Sequence, residues 1–373
     1  MAEGFRDYIE NYLNDLKTKR LYRNLSTQNK SLLNFSSNDY LDLSSNPDSI
    51  AAGHDAARLY GSGSTGSRLL SGNVEIFEKF EKRISADKNF GSSLIFNSGF
   101  IANSSVISGF CLSEAILIFD KLNHASMYHG INATANVKLV RYKHLNYNEL
   151  EDILKKYDSF KHKLIASETV FGMDGDMADL EALSYLSRKY GALLFLDEAH
   201  ATGLHGKNGH GLSTNFRWDQ ELTIVMGTFS KALASSGAYV AGDKLLKEYL
   251  VNKCKGFIYS TALSPFCLGV ALHNWTLLPQ LNETRSRIIA LSDKFRLNIG
   301  RLGYKITGHG TNIVAIIFDS LAELYRVSEK LLGNGVLASL VRPPTSPTPR
   351  IRFAVSAAHR EEDFDVVLEV LQQ

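Results

Sequence analysis

Six short apolar runs limit the folds open to this chain. They are SLIFN (93–97), AILIFD (115–120), KLIASE (163–168), ALLFLDE (192–198), LTIVMG (222–227) and AYVAG (238–242). Each is strand-length and apolar without alternation, the pattern of a strand buried on both faces, and most of the gaps between them have room for a crossover helix. The pattern predicts an α/β fold with a doubly wound sheet. From about residue 280 the texture changes to a long helical pattern (283–300), a strand NIVAIIF (312–318), a helix (321–332), a strand near 350–356 and a last helix (360–372). This predicts a smaller α+β lobe, joined by the N-terminal segment. The expected division is an N-terminal helix and arm (1–45), a large domain (46–280) and a small C-terminal domain (281–373).

In open α/β sheets, ligands gather at the carboxyl ends of the strands. Those ends carry Asn97-Ser98-Gly99-Phe100, Asp120, Glu168, Asp197-Glu198-Ala199-His200 and Gly227-Thr228-Phe229-Ser230-Lys231. Lys231 follows a buried strand among small residues. An isolated lysine usually reads as a surface group, but one shielded from water has a lowered pKa and can form a Schiff base with an aldehyde. Asp197 ends an apolar strand, where a carboxylate needs a cationic partner or several donors; capping the next helix is its alternative role. A lysine and an aspartate about one βα unit apart suggest pyridoxal phosphate, with Lys231 forming the imine and Asp197 holding the ring nitrogen protonated. The phosphate would sit at FNSGFIANSSV (96–106), where a Ser98-Gly99 turn opens a helix whose first amides favour an anion, with Thr228 as a nearby hydroxyl.

Composition removes other classes. The 41 basic and 39 acidic residues are interleaved, net +2, which argues against nucleic acid or an acidic membrane surface as partner. Cys111, Cys254 and Cys267 form no CxxC pattern, so buried free thiols are expected rather than disulfides or a metal site. Residues 1–20 place Phe5, Tyr8, Ile9, Tyr12, Leu13 and Leu16 at helical spacing among charges, unlike a signal peptide. No stretch approaches the roughly 20 apolar residues of a membrane span, and the cytoplasm is the default compartment.

The stretches NFSSNDYL (34–41), GSGSTGSRLLSGN (61–73), NSGFIAN (97–103), DKLNHASMYHG (120–130), VFGMDGD (170–176), LDEAHATG (196–203), GTFSKAL (227–233), YSTALSP (259–265), VRPPTSP (341–347) and RIRFAVSAAH (350–359) together carry a resemblance. In this order they resemble the α-oxoamine synthases, a pyridoxal-phosphate family of the aspartate-aminotransferase fold, nearly end to end. The resemblance implies fold type I: a mostly parallel seven-stranded sheet in the large domain, a smaller C-terminal domain and a homodimer. It implies decarboxylative condensation of an amino acid with an acyl thioester, carried by coenzyme A or a carrier protein. GSGSTGSRLLSGN and VRPPTSP lean toward the biotin-pathway branch that joins L-alanine to a pimeloyl thioester. Glycine with an acetyl thioester and serine with a long acyl chain are the alternatives.

By the same resemblance, His124 stacks on the cofactor ring, His200 bonds its phenolic oxygen, and Lys231 and Asp197 take the roles above. Ser98, Gly99 and Phe100 flank ring and phosphate, Thr228 bonds the phosphate, and Thr261 reaches a phosphate across the dimer interface. Arg352 holds the amino-acid carboxylate, Asn38 and Thr345 line the substrate pocket, and Arg20 or Arg23 meets the far end of the acyl chain, a solvated helix face being their other reading. Arg350 shares a strand face with Arg352, which leaves open which one points inward. Many relatives carry serine at the position of Gly172 and glycine at that of Asp42; the first difference shifts cofactor anchoring toward His200 and backbone amides. A non-catalytic subunit on the same fold would lack Lys231. Against a nucleotide-binding protein, no G-x-G-x-x-G opens the first βα unit and no G-x-x-x-x-G-K-[ST] occurs.

Overall fold

The computed structural model describes residues 3–25, 27, 29, 31–132, 137–346 and 348–372, so Pro347 of VRPPTSP lies outside it. Helix α1 (Glu3–Thr18) leaves Phe5, Tyr8, Ile9 and Tyr12 exposed, and i,i+4 pairs such as Arg6–Glu10 line it. Strand β1 (Leu33–Asn34) pairs in parallel with residues 336–337, which ties the N-terminal segment to the C-terminal part of the chain. Two helices not anticipated above follow. Helix α2 (Pro47–Tyr60) starts with Pro47 after Asn46, whose side chain accepts the Ser49 amide. Helix α3 (Glu75–Lys88) stops at Asn89 in the left-handed conformation.

The large sheet consists of β2 (Ser92–Phe96), β3 (Ala115–Asp120), β4 (Lys138–Tyr142), β5 (His162–Glu168), β6 (Leu193–Asp197), β7 (Thr223–Thr228) and β8 (Ala238–Gly242). Its order is β2-β8-β7-β6-β5-β3-β4, parallel except that β8 runs against both neighbours. Alternate side chains feed two cores. Ile95, Ile116, Ile118, Ile165, Leu194, Leu196 and Val225 face one; Leu94, Phe96, Leu117, Phe119, Leu164, Phe195, Ile224 and Met226 face the other. Filling both faces explains the lack of alternation in the sequence, at about 1.5–3 kcal/mol for each large apolar side chain buried. The exception is β4, KLVRY, an edge strand with exposed Lys138 and Arg141, which escaped the apolar-run criterion for that reason.

The C-terminal part adds β9 (Ile306–Thr307), β10 (Ile313–Ile317), β11 (Val336–Leu337), β12 (Ser339–Val341) and β13 (Arg350–Ala354). Four of these form an antiparallel sheet, β12-β13-β10-β9, packed by helices Asn282–Arg301, Leu321–Gly333 and Glu361–Gln372. Cys254 is buried, whereas Cys111 and Cys267, expected to be buried, are only half-buried; none of the three is paired in a disulfide. Among the described residues no helix is long and apolar enough to cross a membrane.

Candidate active site

Strand register brings the chemistry together. Ala238 of β8 pairs with Phe96 at the end of β2 and with Thr228 at the end of β7. The helix that follows β2, α4 (Gly99–Gly109), therefore opens beside Thr228. Ser98 caps α4 by accepting the Ile101 amide, so the first-turn amides of Gly99 and Phe100 stay available to an anion. In the next two strands Glu168 pairs with Asp197 and Asp197 with Met226. The result is a cavity of about 270 Å³ lined by Ser98, Gly99, Phe100, Asn103, His124, Ser126, Glu168, Asp197, Ala199, His200, Thr228, Ser230 and Lys231. Eight residues singled out in the sequence thus share one cavity: Ser98, Gly99, Phe100, His124, Asp197, His200, Thr228 and Lys231.

Buried Asp197 is held by donors on both oxygens: Asn103 Nδ2 at 2.7 Å and the Ala199 amide at 2.8 Å. Asn103 also donates to Ser126 Oγ at 2.9 Å, which lies 2.7 Å from His124 Nδ1. His124 is exposed and lines the cavity. Burial brings the Lys231 amine down to about 8, against the opposing pull of Asp197 and Glu168. Burial and the Asp197 carboxylate push Glu168 up to about 8. The pair thus reads as a readily deprotonated amine beside a carboxyl group that keeps its proton at neutral pH. Burial, then the cations Lys231 and Arg352, hold His200 well below the ordinary histidine range, so it is neutral.

The turn bearing Asp197 and His200 rests on a buried ion pair. Lys88, at the end of α3, donates to Glu198 at 2.5 Å, and Glu198 also accepts the Ser213 amide and hydroxyl. Gly172 sits against the other side of His200. A Cβ there would lie 2.2 Å from His200 Nε2, so the imidazole occupies the space a serine side chain would need. Asp42 has φ 55, in the left-handed region that glycine adopts without strain.

The two arginines of β13 part company. Arg350 is tied to Asp174 in a buried ion pair and to Thr348. Arg352 reaches the cavity's flank: Nε donates to the Gly172 carbonyl at 2.6 Å, and Nη2 to Asn38 Oδ1 at 3.1 Å and Tyr40 Oη at 3.2 Å. Tyr40 Oη lies 2.7 Å from His200 Nδ1. Asn38 therefore joins the site through Arg352 and Tyr40.

Four expected residues lie elsewhere in this chain. Thr345 is exposed and accepts from Arg23 Nη2 at 3.3 Å, the carbonyl of Arg20 accepts from Tyr325, and Thr261 bridges Ser67 and accepts from Asn97. The segment 20–25 runs along 342–345 outside the cavity because Arg342 donates to the Tyr22 carbonyl. Residues at the site that went unassigned in the sequence include Asn103, Ser126, Glu168, Ala199, Ser230 and Tyr40. Glu168 was visible as a strand-end carboxylate and Asn103 as the residue one helical turn into α4, whereas nothing local marks Tyr40.

The donor set fits a phosphorylated pyridine aldehyde. A buried carboxylate with free lone pairs suits a ring N–H, a deprotonable amine suits the aldehyde, and a helix start without acidic residues suits the phosphate. Residues 30–371 match the family model described as aminotransferase class I and II. The 8-amino-7-oxononanoate synthase of Gluconacetobacter diazotrophicus is 39% identical over 389 residues, covering 99% of this chain and 97% of the relative. A serine palmitoyltransferase from S. paucimobilis, solved with an adduct of pyridoxal phosphate and myriocin, superposes with a TM-score of 0.91 at 25% identity, over 100% of this chain and 98% of that one. The 8-amino-7-oxononanoate synthase of Francisella tularensis superposes at 0.80 with 28% identity, over 92% and 98%.

Proposed function

We propose, from the premise that the chain belongs to the class I and II aminotransferase family, that it condenses L-alanine with a pimeloyl thioester to 8-amino-7-oxononanoate. Carbon dioxide and the free thiol would be the other products. It is a pyridoxal-phosphate-dependent enzyme of the acyltransferase type. The observation that carries the reading is the joint placement of Lys231, Asp197 and His124 around one cavity with Arg352 on its flank.

Bound, the cofactor supplies an electron-withdrawing ring that stabilises negative charge at the amino-acid α-carbon. Asp197, locked by Asn103 and Ala199, keeps an acceptor at the ring nitrogen. His124 presents its face to the ring, and the α4 amides with Thr228 take the phosphate. Arg352 offers a planar fork to the substrate carboxylate, which a lysine would not supply. Lys231, with its amine near 8, takes the α-proton and later returns one. Glu168, kept protonated, adds no second anion beside the developing negative charge.

We extend the proposal to a homodimer. Leu69, Leu70 and Tyr259 are exposed within three residues of the Ser67–Thr261 bridge, and Phe100, also exposed, lines the cavity. Thr261, outside its own cavity, would then serve the partner's.

Serine with a long acyl thioester is the second reading, favoured by the superposition over the whole chain on the serine palmitoyltransferase. Product analysis decides: purified protein is given pimeloyl-CoA or palmitoyl-CoA with alanine, serine or glycine. The nine-carbon aminoketone acid from alanine and pimeloyl-CoA is expected. Faster turnover with serine and palmitoyl-CoA would replace the first reading by the second.

A further inference from the structure

A single hydroxyl joins the proposed carboxylate fork to the imidazole beside the proposed cofactor ring. Tyr40 is completely buried, and its Oη has three neighbours: Arg352 Nη2 at 3.2 Å, Asn38 Oδ1 at 3.1 Å and His200 Nδ1 at 2.7 Å. The protons around it can be counted. Arg352 Nη2 carries two N–H groups, one directed at Asn38 and one at Tyr40, and it can only donate. The Asn38 atom it meets must therefore be the amide oxygen. Because that oxygen only accepts, the Tyr40 hydroxyl donates to it. Having spent its one proton, Tyr40 can only accept from His200, so Nδ1 of the neutral imidazole must carry the hydrogen. Every contact then holds one proton. In the opposite assignment Tyr40 Oη and Asn38 Oδ1 would face each other at 3.1 Å with none between them. His200 Nε2, on the Gly172 side of the ring, is left as a bare acceptor.

We infer that Tyr40 is a positioning residue through which Arg352 sets the tautomer of His200. The functional consequence rests on the reading that Arg352 grips the substrate carboxylate. A carboxylate that draws Nη2 away from Asn38 and Tyr40 removes the reason for the hydroxyl to point at Asn38. Tyr40 then donates to Nδ1, while the imidazole loses its Nδ1 proton and gains one at Nε2 through solvent in the cavity, with no change of charge. His200 changes from an acceptor to a donor beside the ring when the amino acid arrives. Binding of the first substrate would thereby complete the hydrogen bonding of the site.

The test uses the full chain stripped of cofactor and given no substrate, labelled with ¹⁵N in its histidines. His200 is identified as the signal lost in His200→Asn, and its two nitrogen shifts report which one is protonated. Wild type is expected to be mainly Nδ1–H. Tyr40→Phe, which removes only the hydroxyl, and Arg352→Met, which removes the donor two bonds away from His200, are both expected to turn it mainly to Nε2–H. If Arg352→Met fails to fold, Arg352→Lys is read in its place. A merely structural role for Tyr40 would leave the tautomer unchanged. Mainly Nε2–H in wild type, or a wild-type ratio in the Arg352 variant, overturns the inference. No turnover enters the measurement, so a wrong substrate assignment would show in product analysis and leave this result intact.

Discussion

Lys231 is the residue on which the chemistry turns, because a buried amine near 8 combines nucleophile and base in one side chain. Replacing it with alanine should leave circular dichroism unchanged. Turnover should fall by at least about 10²–10⁴-fold, the usual cost of losing a positioned proton carrier alone, and the visible absorbance of the cofactor imine should disappear. Normal turnover would refute the assignment. The two β13 arginines make a sharper contrast. Arg352→Lys keeps the charge but loses the fork, so the alanine dissociation constant, read from the cofactor spectrum, should rise roughly ten- to a hundredfold while the acyl-thioester constant moves much less. Arg350→Met should leave alanine affinity near wild type. It should instead lower unfolding stability by about 3–5 kcal/mol, because it strands the buried Asp174 carboxylate. Equal losses of alanine affinity in both variants would move the carboxylate site. At position 172 even a methyl group meets His200, so Gly172→Ala should lower turnover and alter the cofactor spectrum without matching destabilisation. An unaltered spectrum would show that His200 has room to turn aside.

Several of these residues depend on elements clamped from behind. Residues 170–177, a bridge between Val170 and Met177, carry Gly172 on their inner side and Asp176 on their outer side. His144 spans the gap between this hairpin and the end of β3. Its Nδ1 lies 3.0 Å from Asp120 Oδ1 and its Nε2 3.2 Å from Asp176 Oδ2. Asp120 also accepts the Leu122 and Leu145 amides, which fixes the loop leading to His124. Burial alone would lower the His144 pKa, yet the bonds to the two carboxylates raise it to about 9. The folded-state value is above the ordinary one near 6.5, so the stabilisation is complete below about pH 6.5 and is lost as the pH rises through about 9. In urea unfolding, the advantage of wild type over His144→Gln should therefore shrink between about pH 6 and pH 10, by no more than about 3 kcal/mol. Groups that titrate near pH 8 in the active site are common to both proteins and cancel in the difference. A margin independent of pH would mean that His144 is not the charged member of the clamp.

For the whole molecule, the proposed dimer predicts that Leu70→Asp, a change at an exposed side chain far from Lys231 in sequence, shifts sedimentation toward monomer and lowers turnover together. A fully active monomer would end that proposal. The large sheet was legible in the sequence because its inner strands are buried on both faces. Runs 115–120 and 238–242 coincide with β3 and β8, and the other four runs, that of edge strand β2 included, fall within one residue of their strands. Edge strand β4 was not legible, since half-exposure breaks the apolar run, and α2 and α3 carried no comparable signal. The candidate site was legible wherever an ionisable group ends an apolar strand, because desolvation makes such a group improbable without a task. Glu168, Asp197 and Lys231 are of that kind. Tertiary structure alone decided between Arg350 and Arg352, which share a strand face two residues apart and differ only in meeting Asp174 or the pair Asn38 and Tyr40. It alone placed Arg20, Arg23, Thr261 and Thr345 outside this chain's cavity, and it alone joined Tyr40 to His200 across 160 residues. Local sequence encodes periodicity and desolvation, which act along one segment. Partnerships between segments depend on how sheets and loops close upon one another, and no single segment contains that information.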